Sequence, residues 1–214
     1  MEEMLIGFTA RLDWSEFKVP FADYWINSVD SRHWVSLNTS IWLSLFDGDG
    51  LAIGTVVPER PSLPKWIGIA SGLWEDLERL TSYIKEQRVS YKYHLIAVET
   101  YWASDTLVED NYFLSLASHF HITPSQRSPE WQLLGYEVGN CWLETSMEVI
   151  FMEQSLFDEW SPYLNDLLLF SNIEAAFRFR DYADARYPED YISEVYGIFE
   201  VNGVYDTKAQ IDGV

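Results

Sequence analysis

Residues 71–99 read SGLWEDLERLTSYIKEQRVSYKYHLIAVE. Leu73, Leu77, Leu80 and Ile84 recur at spacings of four, three and four, which lays a single apolar stripe along a helix. Glu75, Glu78 and Lys85 fall off that stripe. The spacing predicts a helix over 71–89, with Ser71 or Gly72 as its cap. Tyr91 to Glu99 alternates loosely and is rich in β-formers, so a strand follows the helix directly.

Working outward, residues 4–12 read as a first strand, and 14–34 as irregular or helical, interrupted by Pro20 and the polar group Asn27 to Arg32. Ile41 to Phe46 and Leu51 to Val57 flank Asp47-Gly48-Asp49-Gly50, a hairpin pattern. A loop with Pro58, Pro61 and Pro64 follows. Residues 100–121 are ambiguous, and 124–129 form a polar loop. Glu130 to Val138 reads as helical, with Trp131, Leu134 and Val138 on one side. Phe157 to Phe170 reads as a helix with Pro162 in its first turns, where proline is tolerated. Asn172 caps a further helix running to about Ala185, and Pro188 ends it. Glu194 to Val201 is a last strand, after which Asn202-Gly203 turns into a polar tail. Strands cluster early and do not alternate regularly with helices. The expected fold is α+β: an antiparallel or mixed sheet packed with helices, in one domain over 1–205 with a tail at 206–214.

The chain has 214 residues, of which 48% are hydrophobic and 16% aromatic, enough to form a core and to leave rings for an interface. It carries 34 acidic and 14 basic residues, a formal charge of −20. A phosphate-backbone binder needs the opposite sign, so direct contact with nucleic acid or an anionic membrane surface is not expected. The charge is uneven: residues 1–107 hold fifteen acidic and nine basic side chains, and residues 108–214 hold nineteen and five. No Lys or Arg lies between Arg127 and Arg178, while nine carboxylates do: Glu130, Glu137, Glu144, Glu148, Glu153, Asp158, Glu159, Asp166 and Glu174. That span is the candidate partner-binding surface, a negative field without a local cation.

Cys141 is the single cysteine, so an intrachain disulfide is impossible. The acidic start Met1-Glu2-Glu3-Met4 is unlike a secretory signal, and no apolar run approaches a bilayer span, so the cytoplasm is the expected location. Asn38-Thr39-Ser40 matches a glycosylation sequon by chance in that setting. Asp47-Gly48-Asp49-Gly50 resembles the start of a calcium loop, but its fifth, sixth and twelfth places hold Leu51, Ala52 and Pro58, and the pattern fails. His119 and His121 would share a strand face but have no third ligand nearby, and His33 and His94 read as packing residues. Cys141, between Asn140 and Trp142, reads as a small buried side chain rather than a nucleophile. Gly68 to Gly72 does not meet the nucleophile-elbow pattern, and neither a P-loop nor a dinucleotide fingerprint occurs. Asp158-Glu159 and Glu189-Asp190 are the acidic pairs a carboxylate hydrolase would need. No metal, cofactor or catalytic residue is expected.

Trp131-Gln132-Leu133-Leu134-Gly135-Tyr136-Glu137-Val138 resembles a motif of a family of small bacterial immunity-like proteins, W-x-L-L-G-Y-D-V followed by Ala-Asp. Tyr187-Pro188-Glu189-Asp190 and Val195-Tyr196-Gly197-Ile198-Phe199 are similar to that family's C-terminal acidic helix, proline and V-Y-G-I-Y/F strand. The resemblance runs from Trp131 onward and leaves the N-terminal half uncovered. It departs at Glu137, where Asp is usual, and at Gly139-Asn140, where Ala-Asp is usual. What it implies is a cytosolic antidote that binds a toxin non-covalently, with no cofactor and no reaction. Charge and resemblance together lead to the expectation of an immunity-type inhibitor, monomeric or weakly dimeric, that neutralises a basic toxin such as a nuclease. The alternatives are a carboxylate-based hydrolase acting on a sugar or cationic substrate, and an adaptor module whose acidity serves solubility.

Overall fold

The computed structural model describes residues 2–12, 73–74, 76–86, 92–102, 123–139, 150, 153–186 and 194–206. The elements are β1 (Glu2–Leu12), α1 (Leu77–Glu86), β2 (Lys92–Trp102), β3 (Thr123–Pro124), β4 (Gln132–Gly139), α2 (Gln154–Trp160), a 3-10 turn (Ser161–Tyr163), α3 (Ile173–Arg186) and β5 (Glu194–Asp206). The strands form one sheet in the order β3-β1-β2-β5-β4, and every neighbouring pair is antiparallel. The fold is therefore α+β. The hairpin at 41–57, the stretches 14–34, 58–72 and 103–121, Cys141, and His33, His119 and His121 lie outside the described residues.

Register shows which side chains share a face. Phe8 stands opposite Ala97, Ala97 opposite Phe199, and Phe199 opposite Leu133. Leu80 and Ile84 of α1 pack on Phe8, Ala97 and Phe199. Farther along the same face, Tyr101, Val138 and Val195 pack with Leu156 and Trp160 of α2 and with Ala175, Ala176 and Phe179 of α3. Both helix groups thus lie on one face, at opposite ends. Ile96, Val98, Thr100, Tyr196 and Ile198 point to the other face, which is buried as well. A strand buried on both faces reads as a continuous apolar run, which explains why the alternation of 91–99 is loose.

Several boundaries differ from the expected ones. α1 begins at Leu77, not Ser71, because Asp76 caps it by accepting a bond from the Arg79 amide at 2.9 Å. Leu73 stays in the core, but from a chain segment whose Trp74 pairs with Phe8 along the β1 edge. The segment 130–138 is not a helix but supplies strand β4. A bulge between Leu133 and Gly135 shifts the parity of the strand. Leu133 before it and Tyr136 and Val138 after it then face the same side, at spacings of three and two that break the strict alternation by which a strand is read.

The helix expected over 157–170 runs only from Gln154 to Trp160. Pro162 sits in the 3-10 turn that ends it, where its missing N–H breaks the helical ladder. Asn165 then folds the chain back, its carboxamide oxygen accepting from the Leu167 and Leu169 amides at 2.9 and 3.2 Å. Asn172 caps α3 as expected, taking the Ala175 amide at 2.8 Å. Asn202-Gly203 does not release the chain into a tail. Both residues adopt left-handed conformations, φ 60° and 71°, in a bulge, and β5 continues to Asp206.

The β4 edge is covered where it meets the turn after α2. Tyr136 and Phe170 exchange backbone bonds of 2.9 and 2.8 Å, and Asn165 Nδ2 donates to the Leu134 carbonyl at 2.7 Å. Gly135 makes this contact possible: its φ is 150°, and a Cβ there would lie 2.6 Å from Leu169 Cβ and 3.0 Å from the Phe170 oxygen. Gly135→Ala is expected to lower stability by about 2–4 kcal/mol through overpacking and backbone strain. Urea unfolding checks it, and a loss below about 0.5 kcal/mol would mean that the turn does not sit on this edge.

Candidate functional site

Among the described residues, the exposed carboxylates of the span 130–174 come chiefly from the α2–α3 side. Asp158 and Glu159 lie on α2, Asp166 on the turn that covers β4, and Glu174 in the first turn of α3. All four are exposed. Among the described residues Glu159, Asp166 and Glu174 have no ion pair, and Asp158 accepts a bond from Gln154 Nε2 at 2.8 Å. Glu130 is exposed too, but it sits on the segment between β3 and β4, apart from α2 in the fold order.

Two described members of the nine-residue span do not belong to this unneutralised set. Glu137 is 1% exposed, inside the sheet opposite Tyr196, and offers nothing to a partner's surface. Glu153 is exposed but paired with Arg186 Nη2 at 3.2 Å. The span lacks a cation in sequence, yet the fold brings one from thirty-three residues away. Glu144 and Glu148 lie outside the described residues. Arg178 lies over the rings of Tyr163 and Trp160, 5.2 and 5.9 Å from their centroids.

A second constellation was not legible as a site in the sequence. The chain from β3 to β4 must pass from one edge of the sheet to the other, four inter-strand steps of about 4.8 Å, roughly 19 Å. The seven residues 125–131 reach about 23–25 Å when extended, so they cross as a nearly taut strap. They cross on the helix-bearing face. Trp131 packs edge-on to Phe8 at 5.8 Å and tilts against Phe199 at 6.3 Å. Arg127 reaches down to Glu99, whose side chain is fully buried. Its Nε and Nη2 donate to Glu99 Oε2 at 2.8 and 2.5 Å, while Ser125 Oγ donates to Oε1. Nη2 also approaches Glu3 Oε1 at 3.1 Å and donates to the Tyr101 hydroxyl at 3.2 Å, and the guanidinium lies 4.4 Å from the Phe199 ring centroid.

The electrostatics of this cluster are those of a closed ion pair. Burial opposes the charge on Arg127, but hydrogen bonding and attraction from Glu99 outweigh it and hold the guanidinium protonated beyond its ordinary range. Burial, reinforced by Tyr136, pushes the Tyr101 hydroxyl up, so it stays neutral. Tyr136 is raised as well, chiefly by burial, and shares a hydrogen bond with Tyr101. With Oε1 and Oε2 both engaged and no exposure, Glu99 is placed to fix the strap rather than to take a proton from a substrate. One sequence signal marked it: a Glu closing the run YHLIAV, on a strand with no polar face.

The two stretches that carry the family resemblance pair with each other. Leu133 stands opposite Phe199, Gly135 opposite Ile198, Tyr136 opposite Gly197, Glu137 opposite Tyr196 and Val138 opposite Val195. Tyr101 packs over Gly197, where a Cβ would also meet Phe199 at 2.9 Å. These motif residues therefore build the sheet, and their identities answer first to packing. Among the described residues no three His, Cys, Asp or Glu side chains are grouped to hold a metal ion, and no helix is long and apolar enough to cross a membrane. Comparison with protein-family models, with curated proteins and with solved structures finds no match.

Proposed function

We propose that this chain is a binding protein, an immunity-type inhibitor that captures a basic toxin domain through the acidic α2–α3 surface. The observation that carries this reading is the set of exposed carboxylates on α2, the 164–170 turn and α3, of which Glu159, Asp166 and Glu174 have no ion pair among the described residues. At a formal charge of −20 the chain repels itself, and long-range attraction of a cationic partner is what such a field supplies. Tyr163 on the 3-10 turn and Tyr182 on α3, both partly buried, are rings of the kind that anchor an interface. The competing hydrolase reading needs two carboxyls across a cleft, whereas its candidates Asp158 and Glu159 are adjacent and exposed on α2, and Glu189-Asp190 lies outside the described residues.

The test is capture followed by kinetics. Wild-type chain on a resin is expected to retain a basic protein from the source lysate, and D158K/E159K to retain much less. Steered association runs at roughly 10⁸ M⁻¹s⁻¹ or more, against about 10⁵–10⁶ M⁻¹s⁻¹ unassisted. Raising salt shortens the Debye length from about 10 Å at 0.1 M to about 3 Å at 1 M. Association should therefore slow steeply with salt while dissociation changes little. Rates that stay flat across that range, or equal capture by the charge-reversed variant, count against the proposal.

A further inference from the structure

Arg127 is held as a bound ligand would be. Its guanidinium meets a buried carboxylate on β2 (Glu99), a second carboxylate on β1 (Glu3), the Tyr101 hydroxyl and the ring of Phe199 on β5. All these host groups belong to the sheet, whereas the guanidinium arrives from the strap. Among the described residues the strap backbone from 126 to 131 makes no hydrogen bond to any strand. Its own bonds are local, Trp131 N to the Ser128 oxygen at 3.0 Å and Glu130 N to Ser128 Oγ at 3.4 Å. Beyond Ser125, whose amide donates to the Glu3 oxygen at 2.9 Å and whose hydroxyl donates to Glu99, the strap is therefore held over the sheet by the Arg127 and Trp131 side chains. The Arg127 side chain is 33% exposed, so solvent reaches the site along it.

We propose that Glu99, Glu3, Tyr101 and Phe199 form a guanidinium-binding site that Arg127 fills from within the chain, and that an arginine side chain of the basic partner takes it by displacing Arg127. The partner half of this statement rests on the function proposed above. The chemistry selects arginine over lysine. Two donors converge on one carboxylate while the planar cation lies against an aromatic face, and a compact ammonium does not supply both contacts. A tethered side chain competes at an effective concentration on the order of millimolar. A lone arginine displaces it poorly, but one delivered by a partner already docked on the α2–α3 carboxylates is tethered too. Displacement would leave the strap anchored by Ser125 and Trp131 and give the partner's guanidinium the Phe199 ring face that Arg127 now covers.

The site is tested without the partner, using ethylguanidinium as the probe. In R127A the probe is expected to raise the melting temperature saturably at about tens of millimolar, and ethylammonium at equal ionic strength is not. Adding Glu99→Gln to R127A should abolish the effect. The wild type should need at least about tenfold more probe, since Arg127 competes. Equal responses to the two cations, or equal affinity in R127A and wild type, would overturn the proposal. Should R127A not fold, amide exchange in the wild type decides: ethylguanidinium is expected to speed exchange at the hydrogen-bonded amides of Ser125 and Trp131, and unchanged exchange there sinks the idea. A partner that associates in a salt-dependent manner while the probe fails would sink this site alone. A probe that binds while no basic partner is captured would sink the proposed function alone.

Discussion

Arg127→Met is expected to lower the free energy of unfolding by about 3–5 kcal/mol at neutral pH, the usual result of removing one partner of a buried pair. The loss is not the value of the bond itself. It arises because Glu99, with no exposed side-chain surface, is left as an uncompensated charge in the core. Ser125 remains to donate to Oε1, and that is too little for a full negative charge. Removing both charges should therefore be far milder. Glu99→Leu combined with Arg127→Met is expected to recover most of the loss, since a buried pair replaced by apolar side chains is often close to neutral. Urea unfolding of wild type, both single variants and the double variant gives the coupling energy directly. A single-variant loss under about 1 kcal/mol, or a double variant no better than the worse single, would show that the two groups do not form a desolvated pair. The same variants report on the strap, because Arg127→Met leaves only Ser125 and Trp131 to hold it over the sheet among the side chains described.

Phe179→Ala should cost about 3–5 kcal/mol, the range for emptying a large aromatic site in a packed core. Phe179 is fully buried on α3 and lies 5.1 Å from Trp160, 5.3 Å from Phe170 and 6.1 Å from Tyr182, centroid to centroid. It thus joins α2, α3 and the turn that covers β4, the elements that carry Asp158, Glu159, Asp166 and Glu174. Part of the cost is lost area, and part is the cavity that three rings cannot collapse to fill. Tyr163, partly buried at the rim of the same cluster, is the control, and Tyr163→Ala should cost clearly less. Denaturant unfolding measures both. Equal costs would mean that α3 is not seated on the sheet through Phe179. Salt dependence of partner association in Phe179→Ala then separates stability from binding: a folded variant should keep the charge-driven rate, because its carboxylates are untouched.

Much of the architecture was determined locally and was readable for that reason. β1, the second half of α1, β2, α3 with its Asn172 cap, and the start of β5 all follow from periodicity and capping chemistry that act within a few residues. The excess of acid was also plain, because net charge is additive along a chain. What tertiary structure alone decided was whatever depended on distant partners. The bulge at Leu133–Gly135 broke the alternation of β4 while Trp131, Leu134 and Val138 kept a helical spacing, and only pairing with β5 shows the segment to be a strand. Pro162 and Asn165 ended α2 early because the turn gains bonds to the β4 edge that a continued helix would forgo. Arg186 neutralised Glu153 across thirty-three residues, so a cation-free sequence span is not a cation-free surface. Burial took Glu137 off that surface. Glu99, Arg127, Tyr101, Glu3 and Phe199 became one site for the same reason: β3 and β4 occupy opposite edges of the sheet, and a strap of seven residues has to cross the strands between them. Side-chain chemistry is written in the sequence, but the environment that gives a charge its role is set by strand order, which no local pattern encodes.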